Sequence, residues 1–176
     1  MSHSVDRESL FETWLNEHRG VIEKVTRTFA QAPSDAAELR QEMMLQLWLS
    51  IESYASQAKP STWIYRVCLY TAMTWRRTAM RREARIGPSL DLEQIGTETP
   101  SPAEDTAERE LLEKLYTGIR RMPGHERALI LMTLDGLAYR EIAQVTGLTE
   151  NHIGVALGRA RKRLAEIMKG LINELE

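Results

Sequence analysis

Apolar residues recur at three- and four-residue spacings along most of this chain, the period of amphipathic helices. Leu10, Phe11, Trp14, Leu15, Val21, Ile22, Val25 and Phe29 predict a helix over 10–30, broken near Gly20. Gln31-Ala32-Pro33 ends it, and Ser34 or Asp35 caps a second helix over 35–51 with Glu38 in its first turn. Ala36, Leu39, Met43, Leu47 and Ile51 form its buried stripe, while Glu38, Gln41, Glu42 and Leu45 lie on another face. Met44 and Trp48 widen the apolar arc, which fits either a deeply buried helix or a protein-docking surface edged with carboxylates. After a loop over 54–60, a third helix is predicted over 62–82, unusually rich in rings: Trp63, Tyr65, Tyr70 and Trp75. Trp63, Val67, Tyr70 and Thr74 share one face, so some of these rings belong to the core, Trp63 first among them.

The period lapses over 85–106, where Pro88, Pro100 and Pro102 mix with Gly, Ser, Thr and acids. This reads as a linker. Helical spacing returns at Ala107. Leu111, Leu112, Leu115, Ile119 and Met122 make one helix, ended at Pro123-Gly124, and His125–Leu134 makes a second. Tyr139–Thr146 is a short amphipathic helix with Ala143 as a small residue for close helix approach. Gly147 stands where a left-handed turn is needed, Leu148 plugs the turn, and Thr149 or Asn151 caps the next helix. That helix carries Ile153, Leu157, Ala160, Leu164 and Ile167 on one stripe and continues past Gly170. His152, Arg159 and Arg163 face away from the stripe, with Arg161 and Lys162 beside them. Residues 134–164 therefore have the form of a helix-turn-helix, whose second helix enters the major groove in DNA-binding proteins; the plain alternative is a helical hairpin with a solvated basic face. The expected fold class is all-α: two small helical domains, 1–84 and 107–176, joined by the irregular linker 85–106, the second containing the helix-turn-helix.

Charge changes this picture more than composition does. The net charge of the 176 residues is −2, which by itself argues against a nucleic-acid partner. The distribution argues for one: residues 59–85 hold seven Lys/Arg against one acid, while 1–58 hold five against nine. With Arg159–Arg163, this gives two basic patches in separate domains, the footprint of phosphate binding. Aromatic residues beside Arg76 and Arg77 suit exposed bases, on which rings stack while arginines track phosphates. Tyr70 and Trp75 are the candidates for such contact. The only cysteine, Cys68, lies between Val67 and Leu69 and reads as a buried inert thiol. No apolar run spans a membrane, and MSHSVDRESL has no apolar signal core, which predicts a cytoplasmic protein without membrane insertion. His3, His18, His125 and His152 are scattered, and no phosphate-cradling glycine loop appears. Nothing nominates catalytic residues, a metal site or a cofactor.

These residues together resemble the extracytoplasmic-function (ECF) alternative sigma factors of bacterial RNA polymerase. The resemblance rests on AELRQEMMLQLW and STWIYRVCLYTAMTWRR in the first domain, and on RRMPGHERALILMTLDGLAYREIAQVTGLTENHIGVALGRARKRL in the second. It covers nearly the whole chain. It implies a non-enzymatic subunit that binds core polymerase, directs it to promoters and assists DNA opening. Glu38, Gln41, Glu42 and Leu45 would dock on the β′ clamp coiled coil, with the β flap as a second contact on core. Arg66, Tyr70, Thr71, Trp75, Arg76, Arg77, Arg81 and Arg82 would recognise and melt the downstream promoter element by capturing flipped bases. Thr149, Asn151, His152, Val155, Ala156, Arg159, Arg161 and Arg163 would read the upstream, minus-thirty-five element. The linker would thread toward the RNA-exit path, and an anti-sigma protein is an implied partner. The chain departs from many relatives at Gly154-Val155-Ala156, which cannot make bidentate contacts to guanine, so readout falls to His152, Arg159 or thymine methyl contacts. It departs again at Tyr70, where some relatives carry a base-capturing Asn. Two rivals stand beside this expectation. One is a stand-alone helix-turn-helix regulator that binds duplex DNA without polymerase; the other is a helical adaptor that binds protein only.

Overall fold

The computed structural model describes residues 2–54, 58–86 and 106–173, and places them in seven α-helices and one 3-10 turn. Most of the predicted linker, residues 87–105, lies outside the described residues. The helices are α1 (Ser2–Phe29), α2 (Pro33–Ser50), α3 (Pro60–Ile86), α4 (Thr106–Arg120), α5 (Gly124–Leu134), α6 (Tyr139–Thr146) and α7 (Glu150–Asn173), with the 3-10 turn at Ile51–Ser53.

In the N-terminal half, α1, α2 and α3 pack against one another. Their core is Trp14, Val25, Phe29, Leu39, Met43, Leu47, Ile64 and Cys68, all almost fully buried. The break in α1 falls at His18 (φ −120°, ψ 17°), two residues before Gly20. The second helix begins earlier than its polar residues suggest. Ala32 is its N-cap and Pro33 its first residue, where the missing proline N–H costs nothing. Asp35 therefore sits in the first turn and accepts a bond from the Ala32 N–H at 3.3 Å instead of capping. The inner face of α3 is Ile64, Tyr65, Cys68, Leu69 and Ala72, offset from the face expected around Tyr70. Trp63 is only half-buried; its ring lies 5.7 Å from Tyr54 and its Nε1 donates to Ser50 Oγ at 3.1 Å.

In the C-terminal half, α4, α5 and α6 pack on α7. The α7 stripe is buried at Ile153, Leu157 and Ala160 and half-buried at Leu164 and Ile167. At Gly118, α4 approaches α7 so closely that an added Cβ would lie 3.3 Å from Leu164 and closer still to Met168. Leu111, expected on the α4 stripe, is exposed. Arg127 of α5 is buried and clips the end of α4, donating Nε to the Met122 carbonyl at 2.7 Å and Nη2 to that of Arg120. Burial, and behind it the charges of Arg76 and Arg120, brings its pKa down to about 10.

The two halves are docked. α1 packs on α4 and α5, and α3 packs on α5 and α6. Asp135, the C-cap of α5, accepts from Lys24 Nζ at 2.5 Å through one oxygen and from the buried Tyr65 hydroxyl through the other. Burial first, and then this bond, push the Tyr65 phenol well above its ordinary range, so it stays a neutral donor. Arg27 pairs with Glu113 and lies 4.2 Å over the Tyr116 ring, while Arg120 donates to the Arg27 carbonyl at 3.1 Å. Lys59 pairs with Glu141 at 3.2 Å.

Candidate nucleic-acid and polymerase interface

On α2, the buried stripe fixes which residues must point outward. Glu38, Gln41 and Leu45 are exposed, and Glu42 is half-buried where it accepts from Gln46 Nε2 at 3.0 Å. Leu49, one turn beyond Leu45, is equally bare, at 51% and 49% exposed. Leu49 was legible as an i+4 neighbour and extends the face with an apolar end. Trp48 does not widen the outer arc: its ring meets Phe11 edge-on at 5.3 Å and carries Arg7 at 4.3 Å.

The outer face of α3 sorts the residues expected to meet DNA. Arg66, Tyr70, Arg77 and Arg81 follow one another by four, seven and four, which puts them on one side of the helix, and all four are exposed. Tyr70 is 70% exposed. Trp75 is not beside it: nine residues on from Arg66, it turns to the opposite side and packs against the core. Arg76 is half-buried, and Arg82 is exposed on the side away from Tyr70. Thr71 is corrected outright, since it is buried and donates its hydroxyl to the Val67 carbonyl at 2.8 Å. The chemistry of the outer face is thus a row of guanidinium groups around one bare ring.

In the helix-turn-helix, α6 ends in Gly147 at φ +74°, a left-handed residue that an L side chain would strain. Thr149 caps α7, its Oγ1 accepting the His152 N–H at 3.3 Å. Leu148 does not plug the turn; it is exposed. Asn151, Val155, Arg159 and Lys162 share one exposed face of α7, with His152 and Arg161 exposed on its flanks. Ala156 turns inward, and Arg163, though exposed, is tied to a neighbouring helix. Ala156 is half-buried in a groove of about 800 Å³ between the halves, whose walls include Leu49, Tyr70 and Leu148. Arg163 is held by the buried Glu126 of α5 at 2.8 Å, which makes it a pin between helices. Arg140, exposed on α6, was not reached by the sequence reading, because a lone arginine carries no spacing signal.

Among the described residues no cluster of His, Cys, Asp and Glu could hold a metal ion, and no helix is long and apolar enough to cross a membrane. The sigma-70 region 2 family model matches residues 7–82, and the sigma-70 region 4 model matches residues 112–164. The ECF RNA polymerase sigma factor SigF of Caulobacter vibrioides is 28% identical over 145 residues, 81% of this chain and 76% of that one. SigM of Mycobacterium tuberculosis, also an ECF sigma factor, is 22% identical over 173 residues, covering 98% and 83%. The chain belongs to the ECF sigma factors. It is an alternative sigma factor directing RNA polymerase, and the stand-alone regulator is not favoured, since region 2 occupies the N-terminal half. The fold agrees: the sigma factor RpoE of Bartonella quintana, solved with the anti-sigma factor NepR, superposes with a TM-score of 0.69 at 17% identity, covering 90% of this chain and 96% of that one.

Proposed function

We propose how this sigma factor divides its work among its surfaces. The exposed side of α2, Glu38, Gln41 and Leu45 with Glu42 and Leu49, docks on the β′ clamp coiled coil of core polymerase; the β flap is a second contact on core. Arg66, Tyr70, Arg77 and Arg81 meet the downstream promoter element, the arginines on phosphates and Tyr70 stacking on a base flipped from the duplex. Asn151, His152, Val155, Arg159 and Lys162 meet the upstream element, with Arg161 and Arg140 on flanking phosphates. The division falls between domains at 1–84 and 107–176, with 85–106 connecting them. The observation that carries this reading is the row of four outward residues on α3, a bare ring among three arginines. A duplex-only regulator has no use for it. The chain acts as a non-enzymatic cytoplasmic subunit. An anti-sigma partner is proposed from the relative that was solved bound to one.

Reconstitution tests the reading. The purified chain is added to core polymerase lacking sigma, and run-off transcription is read on sheared genomic DNA of the same organism. Discrete transcripts that vanish with Glu38→Lys and Leu45→Glu, and unwound DNA that vanishes with Tyr70→Ala, are expected. Transcripts untouched by all three substitutions would overturn the assignment of these faces.

A further inference from the structure

Leu49, Tyr70 and Leu148 are large apolar residues left exposed, and all three line the groove of about 800 Å³ between the halves. Single bare apolar side chains are ordinary on a surface; three around one concavity mark a place that something apolar covers. Five helices supply its wall. Leu49 comes from α2, Val67 and Met73 from α3, Leu129 from α5, Val145 from α6 and Ala156 from α7. The volume is that of a small-molecule site, for which about 300–1,000 Å³ is usual.

The polar groups of the wall are unequal. Trp63 Nε1 donates to Ser50 Oγ at 3.1 Å, and Gln46 Nε2 donates to Glu42 at 3.0 Å. The hydroxyls of Thr71 and Thr146 donate to carbonyls one turn back, each at 2.8 Å. These groups are engaged within the chain. Arg66 is not: it makes no hydrogen bond or ion pair among the described residues. It is exposed, and Tyr70 lies one turn beyond it on the same face of α3. His125, exposed at the start of α5, is a second basic group of the wall, and no Asp or Glu among the described residues lines the groove. An apolar concavity edged by a free guanidinium, with no acid, is complementary to an apolar body that ends in one negative charge. A guanidinium holds such a head through two parallel bonds.

We propose that this groove binds a small amphipathic anion, an apolar body with a single carboxylate or sulfonate head, the head on Arg66 and the body over Leu49, Val67 and Leu148. The bound anion covers the guanidinium and the ring that the α3 face presents, so it competes with promoter DNA for Arg66 and Tyr70. That competition rests on the assignment of α3 to the downstream element; the binding site does not.

The probe is 8-anilinonaphthalene-1-sulfonate, an aromatic body with one anionic head, whose fluorescence rises as it leaves water. One saturable site per folded chain is expected, with a dissociation constant on the order of 10 µM. Decanoate should displace the probe, and decyltrimethylammonium, with the same chain and the opposite charge, should need a concentration at least about tenfold higher. Arg66→Glu should reverse that order, an outcome that misfolding cannot imitate. Ala156→Phe, which fills the groove from a half-buried position, should abolish saturable binding, and thermal melts establish that both variants fold. Open-complex yield, read by permanganate footprinting with decanoate present, should fall for wild type and hold for Ala156→Phe, each against its own yield without decanoate. Fluorescence that never saturates, or that survives Ala156→Phe, would overturn the site. Displacement blind to the charge of the head would overturn the anion. Displacement by an amphipathic helical peptide but not by decanoate would reassign the groove to a protein partner. Decanoate that binds wild type without lowering its open-complex yield would overturn the competition and leave the site standing. If Tyr70→Ala also opens DNA normally, the fault lies instead in the assignment of α3.

Discussion

α3 and α7 both lay a basic outer face over an apolar inner one, and they differ in what stands among the cations. On α3 it is Tyr70, a ring with 70% of its surface bare between Arg66 and Arg77. On α7 it is Val155, half exposed between Asn151 and Arg159. A ring stacks on any base, worth about 1–3 kcal/mol per base. A valine has no hydrogen bond to offer and meets at most a thymine methyl group. The difference teaches what each face has to offer: α3 presents a bare ring on which a base can stack, and α7 presents polar and charged groups around an apolar residue.

Breaking the comparison begins with the ring. Tyr70→Ala should lower open-complex yield roughly five- to 150-fold, from about 1–3 kcal/mol of lost stacking, as read by permanganate footprinting, while Tyr70→Trp should keep most of it. An equal loss from a change on α7 would mean the two helices do not differ as described. Next come the cations beside the ring. Arg77→Ala with Arg81→Ala should flatten the salt dependence of promoter binding, lowering the log–log slope by about two, one per phosphate contact. An unchanged slope in a salt titration would remove these residues from the DNA. On α7 the effect should be smaller. Val155→Ala should change upstream-element affinity by less than about threefold, whereas Val155→Arg should create a preference for a guanine, worth about 1 kcal/mol or more if the contact is bidentate. Selection from randomised upstream elements reads both.

The smallest effect concerns the entrance to the helix-turn-helix. Glu141 accepts the Ala138 N–H at 3.0 Å, and this bond first, then Lys59, holds its carboxyl below the ordinary value near 4.5. A carboxyl whose pKa is depressed on folding adds stability that is full above its unfolded value and is lost as pH falls through the folded one. Thermal melts should therefore show wild type more stable than Glu141→Gln at neutral pH. The gap should close as pH drops below about 4.5. A gap that persists at pH 3 would assign the difference to shape instead of charge.

What was legible in the sequence was local. The bounds of α6, the left-handed Gly147 and the cap at Thr149 follow from residues a few positions apart, and each stands where the pattern put it. The α2 stripe likewise stands at Ala36, Leu39, Met43 and Leu47. The α3 face was misjudged because Trp63, Tyr65, Tyr70 and Trp75 all offer apolar area, and which rings turn inward is decided by neighbours far along the chain. Tyr65 turns in because Asp135, seventy residues away, receives its hydroxyl. Arg163 reads as one more cation until Glu126 appears beneath it. Thr71 reads as a surface hydroxyl until its bond back to Val67 shows it spent within the helix. The docking of the halves had no local signature, since Lys24 and Asp135 are 111 positions apart.

Cys68 is the chain's single cysteine, and it lies fully buried in the α3 core with its thiol pushed up to about 12 by that burial. At neutral pH almost none of it is thiolate, the form that oxidants, electrophiles and soft metals attack. The chain's one thiol is therefore closed to oxidants. If the transcription it directs answers to disulfide stress, the thiol that answers resides in another molecule, and the signal reaches this one as a change in what is bound to it.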